Sequence, residues 1–240
     1  MRKISYLLLQ TAFYMSTQAQ VPDQGITEQD LQSFSEGRPM FTTNMEALYE
    51  GVKGTPYLND EWQTGDVYFP DGTEIIQINI RYNVYKDELE FKNSTSGETF
   101  IINRDKINGF RIHEPEDSLH FEYFSFKPDK PEEKSFVQIL YNGETRLLLK
   151  HKKQFIKADY QGAYSTGNKY DEYLDDKDYY LVKNHGVIQK IKLNKKSILP
   201  ALEDSQAALK DYALKYMIDF TRPEDIIRLL VFYDSQKINR

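Results

Sequence analysis

The stretch that decides the fold is residues 76–85, which read Ile-Gln-Ile-Asn-Ile-Arg-Tyr-Asn-Val-Tyr. Two sets of residues alternate along it with a period of two. The first set is Ile76, Ile78, Ile80, Tyr82 and Val84, and the second is Gln77, Asn79, Arg81, Asn83 and Tyr85. Because successive side chains of a strand point to opposite faces of a sheet, we expect the first set in the core and the second towards water or a partner.

Similar short strands are expected from Gly65 to Leu193. Pro70-Asp71-Gly72 predicts a turn before the deciding strand, because Pro presets φ and Gly accepts a positive φ. Asn142-Gly143 predicts a tight two-residue turn. The expected strands are residues 67–69, 76–85, 89–91, 100–102, 110–112, 119–126, 136–141, 146–150, 179–182 and 187–193. Nine or ten strands at hairpin spacing, without helical crossovers, predict antiparallel pairing.

After Leu193 the period changes to that of a helix. Ser197 is a candidate cap for a turn through Leu202, and residues 221–224 fit a capping box with Pro in the first turn. One predicted helical face carries Leu209, Tyr212, Ala213, Tyr216 and Met217. Helices this short and apolar must pack on the sheet. The expected class is α+β: an open curved sheet, roll or sandwich with two to three C-terminal helices at about 197–234.

The first 19 residues have the three parts of a secretory signal. Met1-Arg2-Lys3 is basic, residues 4–15 are mostly apolar, and Thr17 and Ala19 occupy the −3 and −1 positions of a cut. The apolar part is shorter than the roughly 20 residues of a spanning helix, and a buried first helix is the alternative. We predict a signal peptide at 1–19, a polar, partly flexible lead segment at 20–54 and a single β-rich domain at 55–240. The lead segment is expected to hold at most two short helices, one around Leu31 and one that starts at Asn44.

The composition excludes several classes of protein. Without Cys the chain has no disulfide, no thiolate zinc site and no Cys nucleophile. Its formal charge of −6 becomes −8 when Arg2 and Lys3 leave with the signal peptide, and an acidic chain without a basic block is a poor nucleic-acid binder. No later stretch predicts a membrane-spanning helix. We expect an exported protein that is periplasmic or extracellular, or at the periphery of the outer membrane.

Two segments of the chain resemble a known group of proteins. They are Gly54-Thr55-Pro56-Tyr57-Leu58 and the stretch from Arg81 to Glu90. With the signal sequence, the β-rich middle and the terminal helices, they resemble a loose group of uncharacterised secreted proteins of Bacteroidetes-type bacteria. The resemblance implies a place in the cell envelope or outside the cell. It implies no activity and no catalytic residue.

Motifs for catalysis or metal binding are incomplete in the sequence. The four His residues, at positions 113, 120, 151 and 185, lack the close spacing of a metal pair, although two of them could still meet in space. Residues 162–169 imitate a phosphate loop, but no Ser or Thr follows Lys169, so a flexible loop is expected. We predict no cofactor, no metal site and no catalytic residue.

An acidic run follows this loop. It consists of Asp171, Glu172, Asp175, Asp176 and Asp178. Such oxygen ligands could hold Ca²⁺, but the Gly and the Glu of an EF-hand loop are not at the required positions. The sequence favours a solvated acidic loop. A pair of carboxylates facing a cleft would also suit a glycosidase, but 37 acidic residues do not single out a pair.

Tyr residues crowd the same part of the chain, with six of the 18 between residues 160 and 180. We take Tyr160, Tyr164, Tyr170 and Tyr173 as candidate binding residues, because Tyr offers a large and stiff contact area. The alternative is that they fill strand faces, as β-propensity predicts. Arg81 is the remaining candidate; pairing with a neighbouring acid would explain it equally well.

Two classes of function remain open. The export signal, the incomplete motifs and the Tyr-rich segment favour a non-enzymatic module that binds an envelope protein or a glycan. The alternative is a secreted, glycosidase-like hydrolase, which needs two carboxylates in a cleft, one of them with a raised pKa.

Overall fold

The computed structural model describes Leu31 and residues 52–127, 133–160, 168–183, 186–202 and 206–238. Within these residues, ten strands form one antiparallel sheet in the order β10-β9-β8-β7-β6-β5-β1-β2-β3-β4. The strands are β1 (Gln63–Tyr68), β2 (Glu74–Asn83), β3 (Glu88–Lys92), β4 (Thr99–Ile102), β5 (Gly109–Ile112), β6 (Leu119–Ser125), β7 (Lys134–Asn142), β8 (Arg146–Ile156), β9 (Glu172–Lys183) and β10 (Val187–Ile191). Three helices follow: α1 (Lys195–Ala201), α2 (Gln206–Lys215) and α3 (Pro223–Ile238). The predicted α+β class, with an open antiparallel sheet and C-terminal helices, is confirmed.

The deciding strand keeps its alternation from Ile78 to Tyr82, but Asn83, which was expected to face water or a partner, is fully buried. Ile78 and Ile80 are buried as predicted, but Ile76 is 58% exposed and Ile75 is buried instead. The cause is a β-bulge, in which Asp66 of β1 lies opposite two residues of β2. Gln77 has a φ of 56°, and its N–H donates to Asp66 Oδ1 at 3.0 Å. The extra residue shifts the alternation by one position.

The inner face of β1 to β7 carries an aromatic core. Tyr82 contacts Phe110, Phe121 and Phe136 with ring centroids 5.4, 5.5 and 5.8 Å away. Phe110 and Phe121 stack at 4.5 Å. The Tyr82 hydroxyl donates to Asp87 at 2.7 Å, and burial together with this carboxylate raises the pKa of Tyr82 well above its usual value. A fully buried aromatic cluster of this size is a main source of stability for this half of the sheet.

Strands β8 and β9 bury apolar side chains on both faces. Leu147, Leu148 and Leu149 are consecutive and all buried. Leu147 belongs to the core that β8, β9 and β10 share with the three helices, whereas Leu148 packs with Val137 and Val182 on the opposite face. The helices therefore cover one face of this half of the sheet, as predicted.

Asp234 of α3 ties the helices to the β7–β8 hairpin. Its Oδ2 accepts from the Tyr141 hydroxyl at 3.0 Å and from Thr145 N at 3.1 Å. The hairpin loop is residues 143–145, because Asn142 is still paired with Arg146. The predicted two-residue turn at Asn142-Gly143 is therefore wrong. Because Asp234 accepts the hydrogen bond of the Thr145 amide, this amide does not need the backbone partner that a two-residue turn would provide.

Two details of the helices also differ from prediction. The cap of α1 is Asn194, whose side chain accepts from Ser197 N at 2.9 Å, while Ser197 Oγ accepts from Lys192 N. Helix α2 ends before Tyr216 and Met217, which are exposed instead of sharing a buried face. The chain leaves the helix there, with Met217 at a φ of 50° and Ile218 N bonded to Ala213 O. This closing geometry normally selects Gly.

Much of the N-terminal organisation lies outside the described residues. The predicted signal peptide at 1–19 and, except for Leu31 and residues 52–54, the lead segment at 20–54 stay predictions, as does the single-domain assignment of 55–240. Leu31 itself is helical and buried against the aromatic core. Across the described part of the chain, no helix has the length and apolar character needed to cross a membrane.

Candidate functional site

Residues 53–58, the closing segment, begin beside β9. Lys53 N donates to the Asp171 carbonyl, and the Lys53 carbonyl accepts from Tyr173 N, both at 2.8 Å. Gly54 follows at a φ of +69°, and a Cβ there would lie 2.6 Å from Tyr173 O. Both the backbone conformation and this close approach require glycine at position 54.

The closing segment ends beside β2. Leu58 N donates to the Tyr82 carbonyl at 2.9 Å, and Tyr85 N donates to the Pro56 carbonyl at 3.1 Å. Tyr57 forms an antiparallel bridge with Asn83. The segment therefore brings two predicted sites, the Tyr-rich β9 and the Arg81-bearing β2, to one end of the curved sheet.

Arg81 lies between two aromatic rings. Its guanidinium carbon is 3.9 Å from the centroid of the Tyr57 ring and 4.5 Å from that of Trp62. Its Nη2 donates to Glu90 Oε2 at 3.0 Å and to the Tyr57 hydroxyl at 3.1 Å. The Arg81 side chain is 13% exposed and that of Glu90 1%. Pairing with an acid thus explains the position of Arg81, and removing one partner of so buried a pair would be costly.

A cavity of about 290 Å³ opens beside the Arg81 stack. It is lined by Gly54, Thr55, Pro56, Tyr57, Asp60, Glu61, Trp62 and Arg81. The aromatic rings and the guanidinium form its wall, and two exposed acids, Asp60 and Glu61, lie at its rim. Tyr, Trp and Arg are the residues that most often dominate binding energy at interfaces.

Next to the closing segment, four aromatic side chains form what we term the aromatic surface: Tyr85, Phe155, Tyr170 and Tyr173. Tyr173 contacts Tyr85 at 5.2 Å and Phe155 at 4.9 Å between ring centroids. Lys53 Nζ is 4.8 Å from the Tyr170 ring. Tyr85 is 47% exposed, Phe155 39% and Tyr170 51%. Mutual packing holds Tyr85, Phe155 and Tyr173 in place, so these three rings are held at the surface at little cost in conformational entropy.

The predicted binding residues therefore have different positions. Tyr170 and Tyr173 lie in the aromatic surface, and Arg81 lines the adjacent cavity. Tyr160 is exposed beside Lys169, outside these contacts, and Tyr164 lies outside the described residues. Tyr179 and Tyr180, further along the Tyr-rich stretch, pack against the two buried clusters on opposite faces of the sheet. The binding and the strand-filling interpretations thus each fit part of the segment.

The acidic run is not a solvated loop, because all of it except Asp171 lies in the first part of β9. Opposite strands supply basic partners: Lys152 contacts Asp176 at 2.7 Å and Asp178 at 3.0 Å, and Lys153 contacts Asp175 at 2.7 Å. Burial raises the pKa of Asp178, but its hydrogen bonds with Lys190 and Lys152 outweigh burial and lower it overall. Cross-strand charge pairing fixes the register of this hairpin.

The outer face of the central strands carries a compact polar cluster. Asp66 Oδ2 lies 2.9 Å from His113 Nε2 and 3.0 Å from Arg111 Nε. Burial raises the pKa of Asp66, but the Gln77 amide, His113 and Arg111 lower it overall. The general acid of a glycosidase needs the opposite shift. Within the described ranges, no three His, Asp or Glu side chains are placed to share a metal ion.

The His residues are dispersed. His151 is mostly buried and its Nε2 lies 2.8 Å from Gln138 Oε1; burial, followed by the nearby Lys177 charge, lowers its pKa to about 4. His120 lies beside Arg111 on the outer face, and burial and then this charge lower its pKa. His185 lies outside the described residues.

Sequence reasoning missed Tyr57, Trp62, Phe155 and Glu90 as parts of the site. Trp62 had one signal, since it is the single Trp of the chain. Tyr85 stood on the polar side of the deciding strand and was expected to face water or a partner, which its exposure fits. Phe155 carried no signal, because its neighbours in space are remote in sequence.

Comparisons with protein-family models, with curated proteins and with solved structures give no match. The resemblance of residues 54–58 and 81–90 to secreted proteins of Bacteroidetes-type bacteria stays a prediction.

Proposed function

We propose that the chain is an exported, non-enzymatic binding module of the cell envelope. The observation that carries this proposal is the aromatic surface, where exposed rings lie beside the cavity of Trp62 and Arg81. A module of this kind takes a protein or a glycan, and a protein fits better. Tyr85 and Tyr173 contact each other edge to face, and Phe155 packs against both at a tilt. Tyr, Trp and Arg are the usual anchors of protein interfaces.

Within the described residues, the acids with shifted pKa values argue against the hydrolase alternative. The acids of the outer face and of β9, Asp66, Asp176 and Asp178, have lowered pKa values. A carboxyl group with a lowered pKa is ionised at neutral pH and has no proton to give to a leaving group.

Capture from an envelope extract, followed by a titration with the purified partner, tests the proposal. The Tyr85→Ser/Phe155→Ser double variant should weaken partner binding by about a hundredfold, because two interface anchors are lost. The matched control is Val187→Ser/Val231→Ser, which removes two exposed apolar side chains elsewhere on the surface. Equal binding by the wild type and the first variant would refute the role of this surface. Retention, without a protein, of a glycan that the Tyr85→Ser/Phe155→Ser variant releases would change the partner class of the aromatic surface.

Export has its own test. Cell fractionation should place the protein outside the cytoplasm, and N-terminal sequencing of that fraction should begin at Gln20. A cytoplasmic protein that still carries Met1 would exclude the envelope role.

A further inference from the structure

The outer face of the sheet holds a second cavity, of about 480 Å³, over β1, β5, β6 and β7. Side chains of Tyr68, His120, Glu122 and Ile139 are among those that line it. The volume lies in the range of small-molecule sites, roughly 300–1,000 Å³. We call it the outer cleft.

A position without a side chain gives the outer cleft its shape. Gly109 pairs with Tyr68 of β1 on one side and with Glu122 of β6 on the other. Neighbouring strands are about 4.8 Å apart, so Tyr68 and Glu122 flank a gap of about 10 Å. A Cβ at position 109 would clash with the Phe121 carbonyl, so the glycine, and with it the gap, is fixed by the backbone.

Charges at the outer cleft are already compensated. Glu122 is paired with Arg146, and Arg111, beside the cleft, is paired with Asp66. Burial, followed by the Arg111 charge, lowers the pKa of His120, which favours the neutral imidazole at pH 7. Burial raises the pKa of Tyr68, whose hydroxyl stays protonated. An ion of either sign would gain little electrostatic binding energy in the cleft. The hydroxyl groups of a ligand, in contrast, would find both hydrogen-bond donors and hydrogen-bond acceptors there.

We propose that the outer cleft binds an uncharged, hydroxyl-bearing ring, that is, a neutral saccharide. The ring lies in the gap over Gly109, with its hydroxyl groups bonded to Glu122, His120 and Tyr68. Ile139 and the face of Tyr68 contact its C–H groups. Trp62, which lines the first cavity, directly precedes β1, and Tyr68, which lines the outer cleft, ends it; six extended residues put the two side chains about 20 Å apart. The outer cleft is therefore a separate site, and it does not depend on the partner of the aromatic surface.

The test uses the full mature chain and a panel of uncharged sugars: glucose, galactose, N-acetylglucosamine, maltose and cellobiose. Saturation-transfer NMR and calorimetry should show at least one of them binding with a Kd below about 10 mM. Glu122→Gln and Tyr68→Phe each keep the shape of the cleft and should weaken binding about tenfold or more, because each removes a hydrogen bond to the sugar. Melting curves show whether each variant is still folded. Glu122→Gln also loses the ion pair with Arg146, so if that variant is destabilised, the outcome rests on Tyr68→Phe.

The matched control is Tyr170→Phe, which removes a hydroxyl from the aromatic surface and should leave sugar binding unchanged. Three outcomes would overturn the proposal: none of the five sugars binds, both cleft variants bind like the wild type, or glucuronic acid or glucosamine binds more tightly than every neutral sugar. None of these outcomes bears on partner capture by the aromatic surface, so the two proposals fail separately.

Discussion

Strands β1 to β6 and strands β8 to β10 form one sheet but are built on different patterns. In the first half, apolar side chains point inwards, and the outer face carries ion pairs such as Arg81–Glu90 and Arg111–Asp66. In the second half, Leu147 and Leu148 are buried on opposite faces, one of them under the helices. The alternation of a strand is visible in its sequence only where one face meets water.

The largest expected effect on stability is in strands β1 to β6, which bury apolar side chains on one face only. Phe110→Ala should lower the free energy of unfolding by about 3–5 kcal/mol, because it empties the centre of the ring cluster formed with Tyr82, Phe121 and Phe136. Urea denaturation measures it. Phe155→Ala, at an exposed ring, is the control and should cost less than about 1 kcal/mol. Similar losses in both variants would contradict the placement of the main core.

The pH dependence of stability tests the burial of His151 on β8, in the second half of the sheet. His151 has a pKa of about 4 in the folded protein against an ordinary value of 6.5. Between these values the unfolded chain binds a proton that the folded protein does not, so stability falls as pH drops from 6.5 to 4 and is unaffected by His151 above 6.5. The loss should be about 3 kcal/mol.

Chemical denaturation at pH 7, 5.5 and 4 measures this loss. In His151→Gln the decline over this window should be smaller by that amount. An unchanged decline would show that His151 is hydrated in the folded protein. Protonation of Asp66, whose pKa is lowered in the folded protein, affects the wild type and His151→Gln alike and cancels in their difference.

The link between helices and sheet gives a smaller effect. Asp234→Ala leaves the Tyr141 hydroxyl and Thr145 N without their shared acceptor and should cost about 2 kcal/mol. Tyr141→Phe removes one of the two bonds and should cost about 1 kcal/mol. Thermal unfolding followed by circular dichroism compares them. A cost for Tyr141→Phe equal to that for Asp234→Ala would mean that the Thr145 bond contributes nothing.

The smallest effect has the opposite sign. Met217 is 85% exposed at a positive φ, so Met217→Gly should stabilise the protein by about 1 kcal/mol. Leu214 is equally apolar and also exposed but lies inside α2, where Leu214→Gly should cost about 1 kcal/mol. Differential scanning calorimetry of both variants gives the comparison. A lower melting temperature for Met217→Gly would show that the side chain makes contacts in solution.

The sequence predicts the structure better where a strand has one buried face and one polar face than where other strands determine the environment. Alternation placed Ile78, Ile80 and Tyr82 correctly, because the opposite face of β2 is polar. It failed at Ile76, since the bulge depends on a carboxylate of another strand, Asp66. The prediction of a solvated loop for the acidic run also failed. The run is a strand because Lys residues on β8 and β10 pair with its acids, and these partners cannot be predicted from the sequence of β9 alone.

The candidate site was predictable only in pieces. Arg81 and the Tyr-rich segment each carried a local signal, but their proximity depends on the closing segment. That proximity rests on backbone hydrogen bonds of Lys53 and Pro56, which leave no mark on side-chain pattern. The compensation of charge around the outer cleft likewise joins residues of four strands.

The pairing of Lys53 with Glu172 has a kinetic consequence. The two residues are about 120 positions apart, so the end of the sheet cannot close until most of the chain is available. Bringing such distant segments together costs loop entropy before any contact repays it, and folding should therefore be slow. A nascent chain would keep its aromatic residues apart until β9 has emerged, and the complete surface would form as one of the last events of folding.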